Sequence, residues 1–360
     1  MTARRKAKTR LAMGTGLMAL DAVVSEGAAE PEQCYTGGTC ANVLLALQFL
    51  GWTVRPVCRL GIDEAAATII ADLDHWKVQR RNITQDAAGS TPVIVQRISR
   101  GAGGQAIHRF SWRCPSCGSR YPGYKPVLGS VAQRIAEKVE RVEAFFFDRV
   151  SRGALILAQA CADAGGVVVF EPSGVGNPAL FAEAVEIAHV IKYSHERLPD
   201  IPAELDESES IRLQIETLGE EGLRYRLRRG GRSASHWTTL DAFSVDYVVD
   251  TAGAGDWCTA GIVSKVAKGG LSSFDAMSGE EVRKAIRYGQ ALGAWTCGFQ
   301  GARGGMYAVS QRTFARQVRR ILKGQESREE KVLQMKRGHS DAFASLCLSC
   351  KPAGAKRRHG

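Results

Sequence analysis

From residue 131 onward this chain alternates helix-period and strand-period segments, and that alternation limits the folds open to it. Residues 144–147 (Ala-Phe-Phe-Phe) and 167–170 (Val-Val-Val-Phe) are short, unbroken apolar runs. Such runs read as strands buried on both faces. Helical spacing is expected over 131–141, 153–164, 178–186 and 207–216, and a further strand over 190–192. Upstream, 11–24 reads as a first buried strand, 40–50 as a helix ended by Gly51, 54–59 as a strand and 65–74 as a helix. Strands separated by helices of this length join in parallel and need helices on both faces. The expected class is therefore α/β. Residues 91–98 and 105–112 break the rhythm, alternating apolar and polar residues about the turn Gly101 to Gly104, which is a hairpin signal.

One junction in this pattern carries chemistry. Asp250-Thr251-Ala252-Gly253-Ala254-Gly255-Asp256 is expected to leave a strand over 243–249 and open a helix over 257–267. Small residues let the amides of Gly253, Ala254 and Gly255 close on an anion, and the helix dipole adds to the attraction. Asp256 then stands where it could take a proton from a nucleophile attacking that anion. Trp257, next in line, either narrows the pocket or packs beneath it.

Four segments in order carry a family resemblance: Gly16 to Asp21; Gly37-Gly38-Thr39-Cys40-Ala41-Asn42 with the later Gly61-Ile62-Asp63-Glu64; Thr217 to Gly222; and Asp250 to Asp256. Together they resemble the PfkB/ribokinase family of carbohydrate kinases. The resemblance implies a ribokinase-like fold, a mainly parallel sheet with a small β lid whose strands fall at about 25–38 and 90–112. It implies ATP-dependent phosphoryl transfer to a hydroxyl of a sugar-like small molecule. Asp256 would be the general base and Gly253, Ala254 and Gly255 the anion hole. Asp21, Gly38 and Asn42 would contact the substrate. Thr217, Gly219 and Gly222 would face the nucleotide, with Mg²⁺ on its phosphates. A homodimer through the lid stays open. Two places depart from the family pattern. Lys192 to Arg197 puts Ser194 where an asparagine is usual and Glu196 one residue short of the metal-side glutamate. Glu171-Pro172-Ser173 stands where many sugar kinases have Asp-Pro-Asn, so the acceptor is not named.

Ten cysteines are present, and four form two C-x-x-C pairs: Cys114 with Cys117, and Cys347 with Cys350. Two such half-sites make a tetrahedral Cys₄ zinc site. The pairs lie about 230 residues apart, so a structural Zn²⁺ would staple the 311–360 tail to an insertion at 113–127. Arg113, Arg120, Lys125 and Lys351 would offset the thiolate charge. A redox dithiol at either pair is the alternative. The other six cysteines read as small apolar packing.

The net charge of +11 is concentrated at the ends. Residues 311–360 hold 13 Lys/Arg against 4 Asp/Glu, and five basic residues fall in the first ten. The 11–310 body is slightly acidic. The arm 1–10 reads as disordered, and 311–336 as a basic helical tail. No aromatic interleaving of the kind single-strand binders use accompanies the basic residues, which argues against nucleic acid. A non-catalytic reading remains: a kinase-fold regulator that binds a partner or nucleic acid through a zinc-stapled basic tail. No apolar run approaches a membrane span, and cysteine usage suits the cytoplasm.

Overall fold

The computed structural model describes residues 10–25, 31, 33–100, 106–198, 204–228, 236–245, 247–325 and 343–350. The basic arm 1–9, the turn Gly101 to Gly104 and most of the tail beyond 325 lie outside the described residues.

Among the described residues nine strands form the main sheet, and they alternate with helices along the chain. The strands are β1 (Leu11–Thr15), β4 (Thr53–Leu60), β5 (Ile83–Gln85), β8 (Ala144–Phe147), β9 (Val167–Phe170), β10 (Val190–Ser194), β11 (Leu213–Thr217), β12 (Leu223–Leu227) and β13 (Thr238–Leu240). Their order is β13-β12-β11-β10-β9-β8-β1-β4-β5. All pairs from β5 to β11 are parallel, and β12 and β13 add antiparallel at one edge. A second sheet of order β3-β2-β6-β7 contains β2 (Ala19–Ser25), β3 (Gln33–Gly37), β6 (Val93–Arg100) and β7 (Ala106–Ser111).

The helices are α1 (Thr39–Phe49), α2 (Glu64–His75), α3 (Gly129–Ala136), α4 (Arg152–Asp163), α5 (Pro178–Ile187), α6 (Glu204–Glu207), α7 (Ala254–Val266), α8 (Leu271–Asp275), α9 (Gly279–Thr296), α10 (Gly304–Ala308), α11 (Gln311–Leu322) and α12 (Phe343–Leu346). Successive strand residues face opposite sides of a sheet, and the all-apolar runs use this fully. Phe145 and Phe147 enter a core with residues of α4 and α5, such as Leu157 and Phe181. Ala144 and Phe146 enter the larger core, which holds Leu44, Trp257 and Leu292 of α1, α7 and α9. No helix among the described residues is long and apolar enough to cross a membrane.

Four local expectations are corrected. Residues 11–24 are two strands in different sheets, broken at Gly16. Gly16 has φ +144°, and the next amide, Leu17 N–H, donates to the Asp148 carboxylate at 2.9 Å. A Cβ at Gly16 would collide with that carboxylate, so the break requires glycine. Residues 207–216 are not a helix: α6 stops at Glu207, and Leu213 to Thr217 pair in parallel with β10. The segment before the anion-binding turn is irregular rather than a strand, because its backbone bonds run elsewhere: Val249 N–H donates to Cys297 O. The basic helix α11 ends at Leu322.

Candidate active site

β1 lies between β4, which follows it through α1, and β8, which comes much later in the chain. A reversal of this kind opens a crevice at the carboxyl ends of the strands, where ligands of α/β sheets bind. Gly16 follows β1, Asp148 follows β8, Glu171 follows β9 and Thr217 ends β11. Most of the residues singled out in the sequence lie on or beside this edge.

The anion-binding turn is held by Asp250. Fully buried, it accepts Ala252 N–H at 2.7 Å, Gly301 N–H at 2.7 Å and Gln96 Nε2–H at 2.9 Å. Gln96 belongs to β6, so one carboxylate ties the turn to the small sheet. Gly253 then caps α7 in the left-handed region, with φ +77°. A Cβ there would lie 2.6 Å from Ala302 O. Ala254 N–H is spent on Thr251 O at 3.2 Å. Gly255 and Asp256 fall in the first turn of α7, where amides lack intrahelical acceptors. Trp257 packs beneath: it is fully buried among Phe49, Trp295 and Phe314, and its indole N–H donates to Ala302 O at 2.9 Å.

Asp256 meets Asn42. The Asn42 amide donates to Asp256 Oδ2 at 2.7 Å, while Asn42 Oδ1 is buried with no partner among the described residues. Burial pushes the Asp256 carboxyl up to about 7, and the neighbouring Glu171 adds to the rise. The Asn42 bond and the cations Lys192 and Arg197 pull the other way. Gly38 caps α1 at φ +85° and accepts Asn42 N–H at 2.9 Å, which sets the helix turn that presents Asn42. Asp21, opposite Tyr35 in the β2–β3 pair, is buried, and burial raises its carboxyl to about 7. The cation of Arg303 lowers it and Asp250 raises it, so Asp21 belongs to the same electrostatic group as the turn.

Several members of this site are not evident from motif spacing. Lys192 on β10 is 2% exposed and donates to Glu171 at 2.7 Å. Thr259 on α7 donates to the other Glu171 oxygen at 2.6 Å. Burial alone would lower the Lys192 ammonium pKa; Glu171 and Asp256 more than compensate, and the group stays charged. A Cβ at Gly255 would lie 3.7 Å from Lys192 Nζ, so this cation borders the anion-binding turn. A lysine inside an otherwise apolar parallel strand was the available signal. Arg303 is fully buried; it binds Asp72 Oδ2 at 2.6 Å and Thr36 O, and its guanidinium lies over the rings of Tyr35 and Tyr307.

On the other side of the edge, Thr217 follows Glu216, which is fully buried between Arg224 at 2.6 Å and His195 at 2.7 Å. Gly219 (φ +62°) and Gly222 (φ +105°) shape the next turn, which closes with Gly222 N–H to Gly219 O at 3.2 Å. Glu196 is exposed, just past β10, whose Ser194 pairs with Thr217.

The four paired cysteines also meet. Sγ of Cys114 and Cys350 are 3.7 Å apart, those of Cys117 and Cys347 3.6 Å, and all four lie within 4.8 Å of one another. The Arg113 guanidinium donates to Gly118 O at 3.0 Å and so lies against this knuckle; Lys125 reaches away to Ala88 O. Lys351 is outside the described residues.

Residues 133–307 match the family model described as pfkB family carbohydrate kinase. The chain carries a PfkB family carbohydrate kinase domain. No curated protein compared with it matches. Solved structures similar to it reach across and beyond the PfkB match. A fructokinase with bound ATP from Xylella fastidiosa is 18% identical, with 81% of this chain and 93% of that one covered and a TM-score of 0.64. An aminoimidazole riboside kinase from Salmonella enterica, complexed with aminoimidazole riboside and an ATP analogue, is 19% identical, with 87% and 100% covered and a TM-score of 0.61. A Burkholderia thailandensis nucleoside kinase in complex with inosine is 18% identical, with 81% and 92% covered and a TM-score of 0.56. At these identities the likeness is one of fold. It gives the PfkB domain a ribokinase-like architecture, with a mainly parallel sheet, flanking helices and a second small sheet.

Proposed function

We propose that this protein transfers the γ-phosphoryl group of ATP to a hydroxyl of a sugar or of the sugar part of a nucleoside. The observation that carries the reading is the setting of Asp256. Its carboxylate is held at the start of α7 by one neutral donor, Asn42, in a half-buried place that raises its proton affinity to about neutral pH. A general base works best with a pKa near the working pH. Phosphoryl transfer otherwise asks for positioning and charge neutralisation. The amides of Gly255 and Asp256 in the first turn of α7 and the Lys192 ammonium would supply both to the transferred group. Asp256 would take the proton of the acceptor hydroxyl as its oxygen attacks phosphorus, and ADP would leave.

Asp21 and the free Oδ1 of Asn42 are the acceptors that would orient a polyhydroxylated ligand. Gly38 acts through α1, by setting the turn that presents Asn42. Thr217, Gly219 and Gly222 would border the nucleotide. Mg²⁺, when bound to the phosphates, neutralises their charge. Glu196, exposed at that edge, would hold one of its waters. The fit of the site to ATP rests on a cation and open amides grouped where phosphates would lie.

The deciding experiment is ADP release from ATP over a panel of sugars, sugar acids, nucleosides and polyols, with Asp256→Asn in parallel. Acceptor-dependent ADP release that falls ~10²- to 10⁴-fold in the folded variant is expected. ADP release that ignores the acceptor, or survives unchanged in Asp256→Asn, would exclude the reading.

A further inference from the structure

We propose that Cys114, Cys117, Cys347 and Cys350 bind one Zn²⁺, and that this ion closes a ring that braces the small sheet. The geometry suits a tetrahedral thiolate-bound ion such as zinc and not a disulfide. A disulfide needs sulfurs about 2.05 Å apart, far shorter than the 3.6 and 3.7 Å separations here. A tetrahedron with Zn–S bonds of about 2.3 Å has sulfur–sulfur edges of about 3.8 Å, close to both. Four thiols would each lose a proton to solvent as their sulfurs take the ion, and the full thiolate set leaves no open position for a substrate.

The knuckle is built to hold its half of the site. Cys114 N–H donates to Ser119 O and Gly118 N–H to Cys114 O, both at 2.8 Å. Arg113 and Arg120 form a bridge behind it. Cys347 follows α12, whose Phe343 and Leu346 are buried in the main core. Leu348, between the second pair, is 61% exposed, as the tip of a metal turn rather than part of a core would be.

The ring follows from connectivity. The small sheet runs β3-β2-β6-β7. At its far edge β7 leads within three residues to Cys114. At its near edge β3, together with β2, packs on α2, and α12 packs on α2 as well. The ion would therefore join the two ends of the small sheet through α12 and α2. The knuckle's flanks add to the hold, because Trp112 and Tyr124 pack on Leu17, Ala19 and Ile94 at the base of β2 and β6. This brace does not rest on the phosphoryl-transfer reading, since its test reads metal content and hydrogen exchange rather than turnover.

The test uses the full chain. Metal analysis of the protein as purified should give one zinc per chain, and Cys347→Ser/Cys350→Ser should lose it. Protein refilled with Co²⁺ should show intense thiolate-to-cobalt absorption and the visible bands of a tetrahedral site. Hydrogen exchange of wild type treated with a strong chelator should then accelerate about tenfold or more in β6 and β7, with β8 to β10 unchanged. Zinc well below one equivalent, or a disulfide between the pairs in the purified protein, would overturn the site. Exchange that is unchanged in β6 and β7, or faster throughout the molecule, would overturn the brace. Single variant Cys117→Ser covers the case in which the double variant fails to fold. It should keep its fold and bind Co²⁺ more weakly, and undiminished Co²⁺ affinity would count against the site.

Discussion

Asn42 and Asp256 are 214 residues apart in the chain, and their side chains meet at 2.7 Å. The bond favours the ionised carboxylate, against the burial that raises it to about 7. As the base, Asp256 must be ionised, so kcat/KM should fall as pH drops below about 7. In Asn42→Leu the lost donor should move that acidic limb upward, by roughly one pH unit for a hydrogen bond of about 1.4 kcal/mol. A pH–rate profile with its limb unmoved in the variant would separate the two residues functionally.

Asp256 also weakens the fold that carries it. Its folded pKa, about 7, exceeds the ordinary value of 3.8. Between those values the native state binds more protons than the unfolded chain, so stability falls as pH rises through the window. Asp256→Asn removes that penalty. At pH 8 the variant should be more stable than wild type, on the order of 1–3 kcal/mol, and near pH 4 the difference should vanish. Urea titrations at the two pH values measure it.

Lys192 and Glu171 are buried together at 2.7 Å. Lys192→Met leaves the Glu171 charge without its cation, which should cost about 3–5 kcal/mol. Lys192→Met/Glu171→Gln should recover most of that stability. Turnover should nevertheless stay down by ~10²–10³, the usual loss when one stabiliser of transition-state charge is removed. A double variant that recovers both stability and turnover would make the pair purely structural.

Gly253→Ala tests the turn. At φ +77°, with a Cβ 2.6 Å from Ala302 O, alanine carries both backbone strain and a clash. A loss of about 1–3 kcal/mol is expected, read as a lower Tm, with kcat falling further than stability alone requires. A variant as stable as wild type would mean the turn relaxes freely.

Legibility followed the range over which each signal acts. β9 was readable to the residue, because Val167 to Phe170 is an unbroken apolar run between helix ends. The turn at Gly253 was readable because backbone conformation there depends on glycine itself. The strand at Leu213 to Thr217 was not, since Gln214 and Glu216 are buried polar residues whose partners, Tyr193, Arg226, Arg224 and His195, come from neighbouring strands or the loop after β10. Residues 11–24 looked like one strand, because the break at Gly16 is enforced by Asp148, far along the chain. The candidate base was visible in its motif. Lys192, Glu171, Asp250 and Arg303 gained their places only from contacts across the fold.

Arg303 leaves a last consequence. Its guanidinium holds Thr36 O and Asp72, and Asp250 needs the amide of Gly301. A ribosome making this protein delivers the first strands long before either partner exists. The crevice therefore cannot set during synthesis of the amino-terminal half. Its contacts can be completed only after the loop that follows α9 has emerged, and until then the nascent chain has the apolar surfaces of both sheets to protect.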